Sequence, residues 1–499
     1  MAKIKLMKYE EALESFEVVI GLEVHVELNT TTKMFTTAPN AFGSEPNTNL
    51  TPACLGLPGS LPVVNEQGVE HAIRLGLALG CEIAELSGFA RKNYFYPDLG
   101  KNYQISQGDD PIAENGSVEI ELASGRVVHV PIERAHIEED AGKLNHMGGS
   151  SGRIHGSEYS LVDYNRAGVP LVEIVTEPII GSAAEAPEIA ATYVSTIRDI
   201  VLGLDISDAR MERGNIRCDA NVSLRPHGTE KLGTRTETKN VNSLRSIDRA
   251  VRFEIQRQAQ ILADGGEIVQ ETRHWHEETG ETSPGRPKSD ADDYRYFPDP
   301  DIQPLAPSRE YVEKLRQTLP EHPTLRRRRL RKEWGFQPLE LQDVVNAGLL
   351  DTIEETTRIG VSPAAARKWW MGEIARIANE RGDEPRHLIS PEQLAEVVTL
   401  IDEGTLNDKL AREVIQGIID GEGSATEIIE KRSLAIVSDD GALIQAIDKA
   451  LEAQPDVLDK IRDGKVQAAG AVIGAVMKEM RGQADAARVR ELIMERAKQ

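Results

Sequence analysis

A chain of 499 residues exceeds what one hydrophobic core ordinarily supports, so two to four domains are expected. With 40% hydrophobic and 4% aromatic residues it suits a helix-rich globular protein; no apolar run approaches the roughly 20 residues of a membrane span and the start MAKIKLMKYEEALESFE lacks a signal-peptide core, so no membrane contact and a cytoplasmic location are expected. A net charge of -23 excludes indiscriminate nucleic-acid binding, and three scattered cysteines, Cys54, Cys81 and Cys218, exclude a disulfide framework or a CxxC metal pair.

The first distinctive element is Gly21 to Thr30, GLEVHVELNT. Glu23, His25 and Glu27 alternate with Leu22, Val24, Val26 and Leu28, the period of a strand with one apolar face. Such a face is either a solvated sheet surface or an edge that handles metal or phosphate. Further along, RKNYFYPD (Arg91 to Asp98) interleaves aromatics with charges, a composition that stacks on nucleotide bases or anchors an interface. HIEEDAGK then crowds Glu138, Glu139 and Asp140 after His136, and three adjacent acids need water or a cation between them. The run Gly148 to Gly152 reads as a hairpin connector rather than a phosphate cup, because no capped helix follows it.

A helix is expected after the capping box Ser182 and Glu185, carrying Ile189, Tyr193, Ile197 and Ile200 and closing at Gly203. Two more alternating segments follow. Arg217, Asp219 and Asn221 lie on one face, and Arg235, Glu237 and Lys239 on another, with Asn240 and Asn242 beyond. The next helix carries Leu244, Ile247, Val251, Ile255, Gln258 and Leu262 and stops at Gly265-Gly266. DDYRYFPD (Asp292 to Asp299) repeats the aromatic and charged mixture.

Several carboxylate-bearing strand faces in one domain suit phosphoryl transfer, where magnesium is held by hard oxygens and Lys or Arg steadies phosphate. Neither a Walker A pattern nor the protein-kinase signatures occur, so a nucleotide would need a different cradle. Beyond Pro304 the alternation stops and helical starts appear at Ser362-Pro363 and Ser390-Pro391. The chain is therefore read as α+β: a mixed, largely antiparallel sheet domain over residues 1–305, then all-helical domains over 306–400 and 401–499. The basic run Arg326 to Lys332 is a solvated face, a partner patch or a phosphate contact. In the tail, Gly470 and Gly474 allow close approach of another helix or of RNA, the latter supported by Lys465, Lys478, Arg481, Arg488 and Arg490.

Taken in order, GLEVHVEL, PACLGLPGSLPV, RKNYFYPDLGKNYQISQ, HIEEDAGK, RCDANVSLRP, KNVNS and DDYRYFPDPDIQPL resemble the GatB family, the B-subunits of aspartyl/glutamyl-tRNA amidotransferases, from about Phe16 to the C-terminus. The resemblance implies a kinase-like cradle domain, a helical domain and a tail that contacts the outer corner of tRNA. It implies an amidase-type A-subunit with a small C-subunit, the partners in a heterotrimer, and ATP with Mg2+ as requirements. The implied reaction is phosphorylation of the side-chain carboxylate of Glu-tRNA(Gln) or Asp-tRNA(Asn), followed by amidation with ammonia that the amidase-type partner releases from glutamine. Carried onto this sequence, Glu23, His25 and Glu139, then Asp219 and Glu237, become the magnesium ligands. Glu138, Lys239 and Arg273 become catalytic residues that position phosphate or the aminoacyl group, and Lys92, Tyr94 and Tyr96 meet the acceptor end of tRNA. Many members carry paired cysteines for zinc where Thr51-Pro52-Ala53-Cys54 stands here, so no zinc is expected. The rival reading is a binding module that only positions tRNA.

Overall fold

The structure is a computed structural model and describes residues 5–148, 156–181, 183–287, 294–437, 439–462, 465–480 and 482–498. Its contacts divide the chain into two compact units, Met1–Arg328 and Arg329–Gln499. No helix among the described residues is long and apolar enough to cross a membrane.

Among the described residues the first unit is built on the strands β1 (Phe16–Glu27), β2 (Glu82–Ile83), β3 (Ala90–Asn93), β4 (Tyr103–Ser106), β5 (Ala113–Glu121), β6 (Val127–Glu139), β7 (Lys143–Met147), β8 (Tyr159–Asp163), β9 (Pro170–Thr176), β10 (Ile179–Ile180), β11 (Ile216–Pro226), β12 (Thr236–Val241), β13 (Glu271–His276), β14 (Glu281–Pro287) and β15 (Phe297–Pro298). The main sheet runs β14, β13, β12, β11, β1, β9, β6, β4, β3, β15, with β5 on β6, β2 on β5 and β10 on β1. Its pairings are antiparallel except that of β12 with β13. The expected mixed, largely antiparallel sheet is thus observed. Strands β7 and β8 form a separate antiparallel pair, and most of the Gly/Ser run lies between them, outside the described residues.

Alternation decides which side of the sheet each residue serves. In β1 Leu22, Val24 and Val26 are buried while Glu23, His25 and Glu27 are half-buried on the other face. The apolar face packs on helices α1 (Tyr9–Ser15), α2 (Glu66–Ala78), α3 (Ala186–Gly203) and α4 (Leu244–Ala263), whose Ile73, Tyr193, Ile197, Ile247 and Ile255 share one core with it. Helix α3 starts behind a short 3-10 turn; Ser182 of the expected capping box lies outside the described residues, and Glu185 makes no side-chain cap. Helix α4 starts at Ser243, whose hydroxyl accepts from Ser246 N–H, and ends before Gly265 at a positive φ of 78°. Beyond the change of composition at Pro304, helix Arg309–Arg316 still packs Tyr311, Val312 and Leu315 on this core.

Helix α4 carries a fully buried acid, Glu254. Its carboxylate receives Arg257 Nη2 at 2.8 Å, Thr236 Oγ1 at 2.9 Å, Thr282 Oγ1 at 2.5 Å and Arg273 Nε at 3.1 Å. The guanidinium of Arg273 is therefore spent behind the sheet. This corrects its expected catalytic role: along β13 Arg273 and Trp275 are buried on the helix side, leaving Thr272 and His274 for the open face.

The second unit is all helical. Phe336, Ile353, Trp370, Leu394, Val414 and Ile428 belong to one core that continues through residue 400 to Leu434. A second core, from Leu443 to Ala497, gathers helices Asp440–Glu452, Val457–Arg462, Ala469–Glu479 and Ala486–Lys498. The expected helical starts are present, since Ser362 caps Ala365 N–H and Ser390 caps Gln393 N–H, each with proline following. Part of the basic run is matched within the chain: Arg327 pairs with Asp199, Arg328 with Glu119 at 2.7 Å, and Arg329 with Glu333 at 3.0 Å.

Removing one buried charge from a matched network strands its partners. Glu254→Gln is expected to lower the stability of the first unit by about 3–5 kcal/mol, because Arg257 stays buried without its counter-charge and Arg273 keeps only Glu271. Urea unfolding followed by the fluorescence of Trp275, which lies in the same core, measures it; an unchanged midpoint would contradict this account.

Candidate active site

The open face of the sheet holds a hollow of about 450 Å³ lined by Glu23, His25, Lys92, Glu138, Glu173, Asp219, Glu237, Lys239, Thr272, His274 and Tyr294. Register builds it. Glu23 stands opposite Asp219, His25 opposite Glu173, Glu173 opposite His136, and Lys239 opposite His274, so the charged face spans six strands in two neighbouring rows that meet on β1. Two groups have ligand atoms within 4.8 Å of one another: His25, Glu138 and Glu173, and Glu23, Asp219 and Glu237.

Each acid is held by a named donor. Asn221 Nδ2 donates to Glu23 at 2.9 Å, Thr272 Oγ1 to Glu237 at 2.8 Å, and Ser106 Oγ to Glu138 at 2.8 Å. Lys239 pairs with Asp219 and lies 3.4 Å from Glu237. Below the first group, buried His136 places Nε2 at 3.1 Å from Glu173 and 3.4 Å from Glu138, and His25 Nε2 lies 3.6 Å from Glu173.

These contacts decide the charges. Burial opposes a charged His136, but the carboxylates of Glu138 and Glu173 outweigh it and raise the imidazole to about 9. Burial likewise opposes ionised Glu138 and Glu173, and His136, with Lys92 and, for Glu173, His25 adding to it, holds both below the usual carboxylate range. Burial works against Lys92 and Lys239 too; Glu138 and the nearby tyrosines and Glu173 raise the first, and Asp219 with Glu237 raise the second, above the ordinary lysine value. The face is thus an array of fixed charges of both signs.

Of the residues singled out in the sequence, Glu23, His25, Asp219, Glu237, Glu138, Lys239 and Lys92 meet in this hollow. Glu139 does not. It follows Glu138 on β6 and so points to the other side, where Lys101 pairs with it and Ile105 N–H donates at 3.0 Å. Glu138 and Glu173, not Glu139, belong to the carboxylate group beside His25. Tyr94 is set back from the hollow, with its hydroxyl donating to Gln104 at 3.0 Å and its ring edge-on to Tyr294, and Tyr96 is exposed. In the second unit Lys465 and Lys478 are exposed, while Arg481 lies outside the described residues.

Glu173, His136, His274 and Tyr294 were missed as site residues. Glu173 interrupts the apolar strand PLVEIVT, and a lone acid in a run otherwise buried is a usable signal, since an unpaired charge there is costly. His136 stood next to the acids that drew attention. His274 needed the parallel β12–β13 pairing, a contact no local pattern encodes.

Residues 18–313 match the family model described as the GatB/GatE catalytic domain, and residues 351–496 match the GatB domain. The aspartyl/glutamyl-tRNA(Asn/Gln) amidotransferase B-subunit of Clavibacter michiganensis subsp. michiganensis is 71% identical over 497 residues, covering 100% of this chain and 99% of that protein. Its counterpart in Leifsonia xyli subsp. xyli is 68% identical over 499 residues, covering 100% of both, and that in Streptomyces avermitilis is 59% identical over 493 residues, covering 99% and 98%. The cradle of charged strands and the helical region that follows it are thus those of a chain that belongs to the GatB family, the B-subunits of aspartyl/glutamyl-tRNA(Asn/Gln) amidotransferases.

Proposed function

We propose that this chain uses ATP to phosphorylate the side-chain carboxylate of Glu-tRNA(Gln), Asp-tRNA(Asn) or both, and that the activated acid is amidated with ammonia from a glutaminase-type A-subunit, the third member of a cytoplasmic heterotrimer being a small C-subunit. The observation that carries this reading is the meeting of two carboxylate-rich groups and two ammonium groups in one hollow. A carboxylate and a triphosphate repel each other, so the site that brings them together must supply positive charge.

The donor sets fit magnesium: five carboxylates offer hard oxygens, one imidazole joins them, and no thiolate lies among them. Glu23, Asp219 and Glu237, and His25, Glu138 and Glu173, are the residues that would hold it. Bound there, the ion neutralises charge on the oxygens that change partners in phosphoryl transfer. The chain does the rest by preorganisation. His136 keeps Glu138 and Glu173 ionised from below, and Ser106, Asn221 and Thr272 fix their own carboxylates in orientation. Lys92 on β3 and Lys239 on β12 lie on either side of β1 in the strand order, as fixed cations for phosphate and for the substrate acid. In the tail, Gly470 and Gly474 are exposed and a Cβ at either meets nothing within 4 Å among the described residues. That open stripe, beside Lys465 and Lys478, supports contact with tRNA backbone.

The decisive experiment incubates this chain and its small partner, without an active glutaminase, with ATP, magnesium and Glu-tRNA(Gln) or Asp-tRNA(Asn). ADP should form only when the charged tRNA is present; its absence with both tRNAs would leave the binding-module reading. In that assay Glu138→Gln and Glu23→Gln should each reduce the rate on the order of 100-fold at limiting magnesium, with partial recovery at high magnesium. Glu139→Gln should instead lower the melting temperature, by stranding Lys101, with the magnesium dependence unmoved.

His136 has a pH signature. Its value in the folded chain, about 9, lies above the ordinary imidazole range, so the proton is bound more tightly in the folded state. The stabilisation it gives is complete below a pH of about 6.5 and is lost as pH rises through the folded value. The melting temperature of the wild-type chain should fall across that interval more steeply than that of His136→Gln, and parallel curves would refute the charge assignment. For the tail, Lys465→Glu with Lys478→Glu should raise KM for tRNA by about tenfold at moderate salt with kcat preserved.

A further inference from the structure

Outside the hollow, one pair of reactive side chains has no part in the chemistry described so far. Lys33 is completely buried, and its ammonium reaches Tyr164 O at 3.3 Å and Cys54 Sγ at 3.9 Å, with no carboxylate in ion-pair distance among the described residues. A buried ammonium needs an opposite charge, and the thiol is the acidic group in its reach.

The sulfur is set up to provide that charge. Besides Lys33 it faces Thr51 N–H at 3.4 Å and the hydroxyls of Thr51 and Thr36, each at 3.5 Å. Thr36 Oγ1 already accepts from Ala38 N–H at 3.0 Å, which leaves its own proton for the sulfur. An ammonium, an amide N–H and two hydroxyls thus surround the sulfur. Burial opposes the charge on Cys54, but Thr51, Thr36 and Lys33 together bring it below the ordinary thiol value, while burial alone pushes Cys81 up to about 12 and Cys218 also upward. Burial also lowers Lys33, which eases release of its proton. Cys54 sits in the 3-10 turn Pro52–Leu55, flanked by exposed Pro52 and Gly56, so only a thin layer separates it from solvent.

We propose that the Lys33–Cys54 pair is a site of covalent modification by hydroperoxides, in which the sulfur is oxidised and then bonded to the lysine nitrogen. The thiolate attacks one peroxide oxygen, the O–O bond breaks, and the departing hydroxide takes a proton from the Lys33 ammonium as water. Sulfur is oxidised by two electrons to the sulfenic acid and the peroxide is reduced. The neutral Lys33 amine then attacks that sulfur, the S–O bond breaks, and a second water leaves. The product is a sulfenamide that removes a positive charge near Glu139, whose carboxylate acts on Lys33 through its charge.

The test treats the full-length chain with limiting hydrogen peroxide and maps peptides by mass spectrometry. The expected product joins Lys33 to Cys54, is lighter than the two free peptides together by two hydrogen atoms, and is reversed by dithiothreitol, with Cys81 and Cys218 unmodified. In Lys33→Met, oxidation of Cys54 should slow by about tenfold, and its sulfenic acid should persist and be trapped by dimedone. Cys54 oxidised no faster than Cys81 and Cys218 in the wild-type chain, or oxidised without the cross-link, would overturn the proposal; this comparison holds whether or not the variant folds.

Discussion

Five carboxylates on one face of a single sheet repel one another, and the candidate site exists because the surrounding residues hold that repulsion in check. The central device is His136, which is buried under Glu138 and Glu173 and carries the positive charge that keeps both ionised. A neutral residue there would let one of the two acids take up a proton, and a group meant to grip a cation would lose the charge it grips with. Lys239 sets a positive charge beside Asp219 and Glu237 on the β12 side of the face.

This arrangement depends on a well-anchored sheet. The polar rows span six strands, and a slip of one residue in any of them would send its site side chains to the helix side. Registry is enforced from behind, where the apolar residues of β1, β9 and β11 enter one core with α3 and α4. At the far edge, the parallel β12–β13 pair is tied to α4 by the Glu254 network through Thr236 and Arg273. A buried ion network is an expensive way to hold two strands, but it locks a direction and a register that apolar packing leaves looser. Arg273 thus serves the hollow by holding the strand that bears Thr272 and His274.

Much of this was readable from local pattern. The alternation of Glu23, His25 and Glu27 with aliphatics announced the strand and its two faces, and Ser-Pro pairs announced helix starts at Ser362 and Ser390. The same logic stumbled at HIEED, where Glu138 and Glu139 are adjacent and both acidic. On a strand only one of two neighbours faces any given side, so the assignment of Glu139 required knowing the phase of β6 against β9. Glu173 escaped because its partners, His25 and His136, come from strands far away in sequence.

The order of residues along the chain was enough to determine the class of fold, the strand faces that carry charge, the family and the chemical character of the site, because these follow from side-chain periodicity and short motifs that each segment carries within itself. Only the tertiary structure decided which acids converge, that Arg273 lies behind the sheet, that His136 supplies the buried charge, and that Lys33 meets Cys54. Each of those depends on pairing between segments up to about two hundred residues apart. Register and burial, not composition, determine the distances over which charges act.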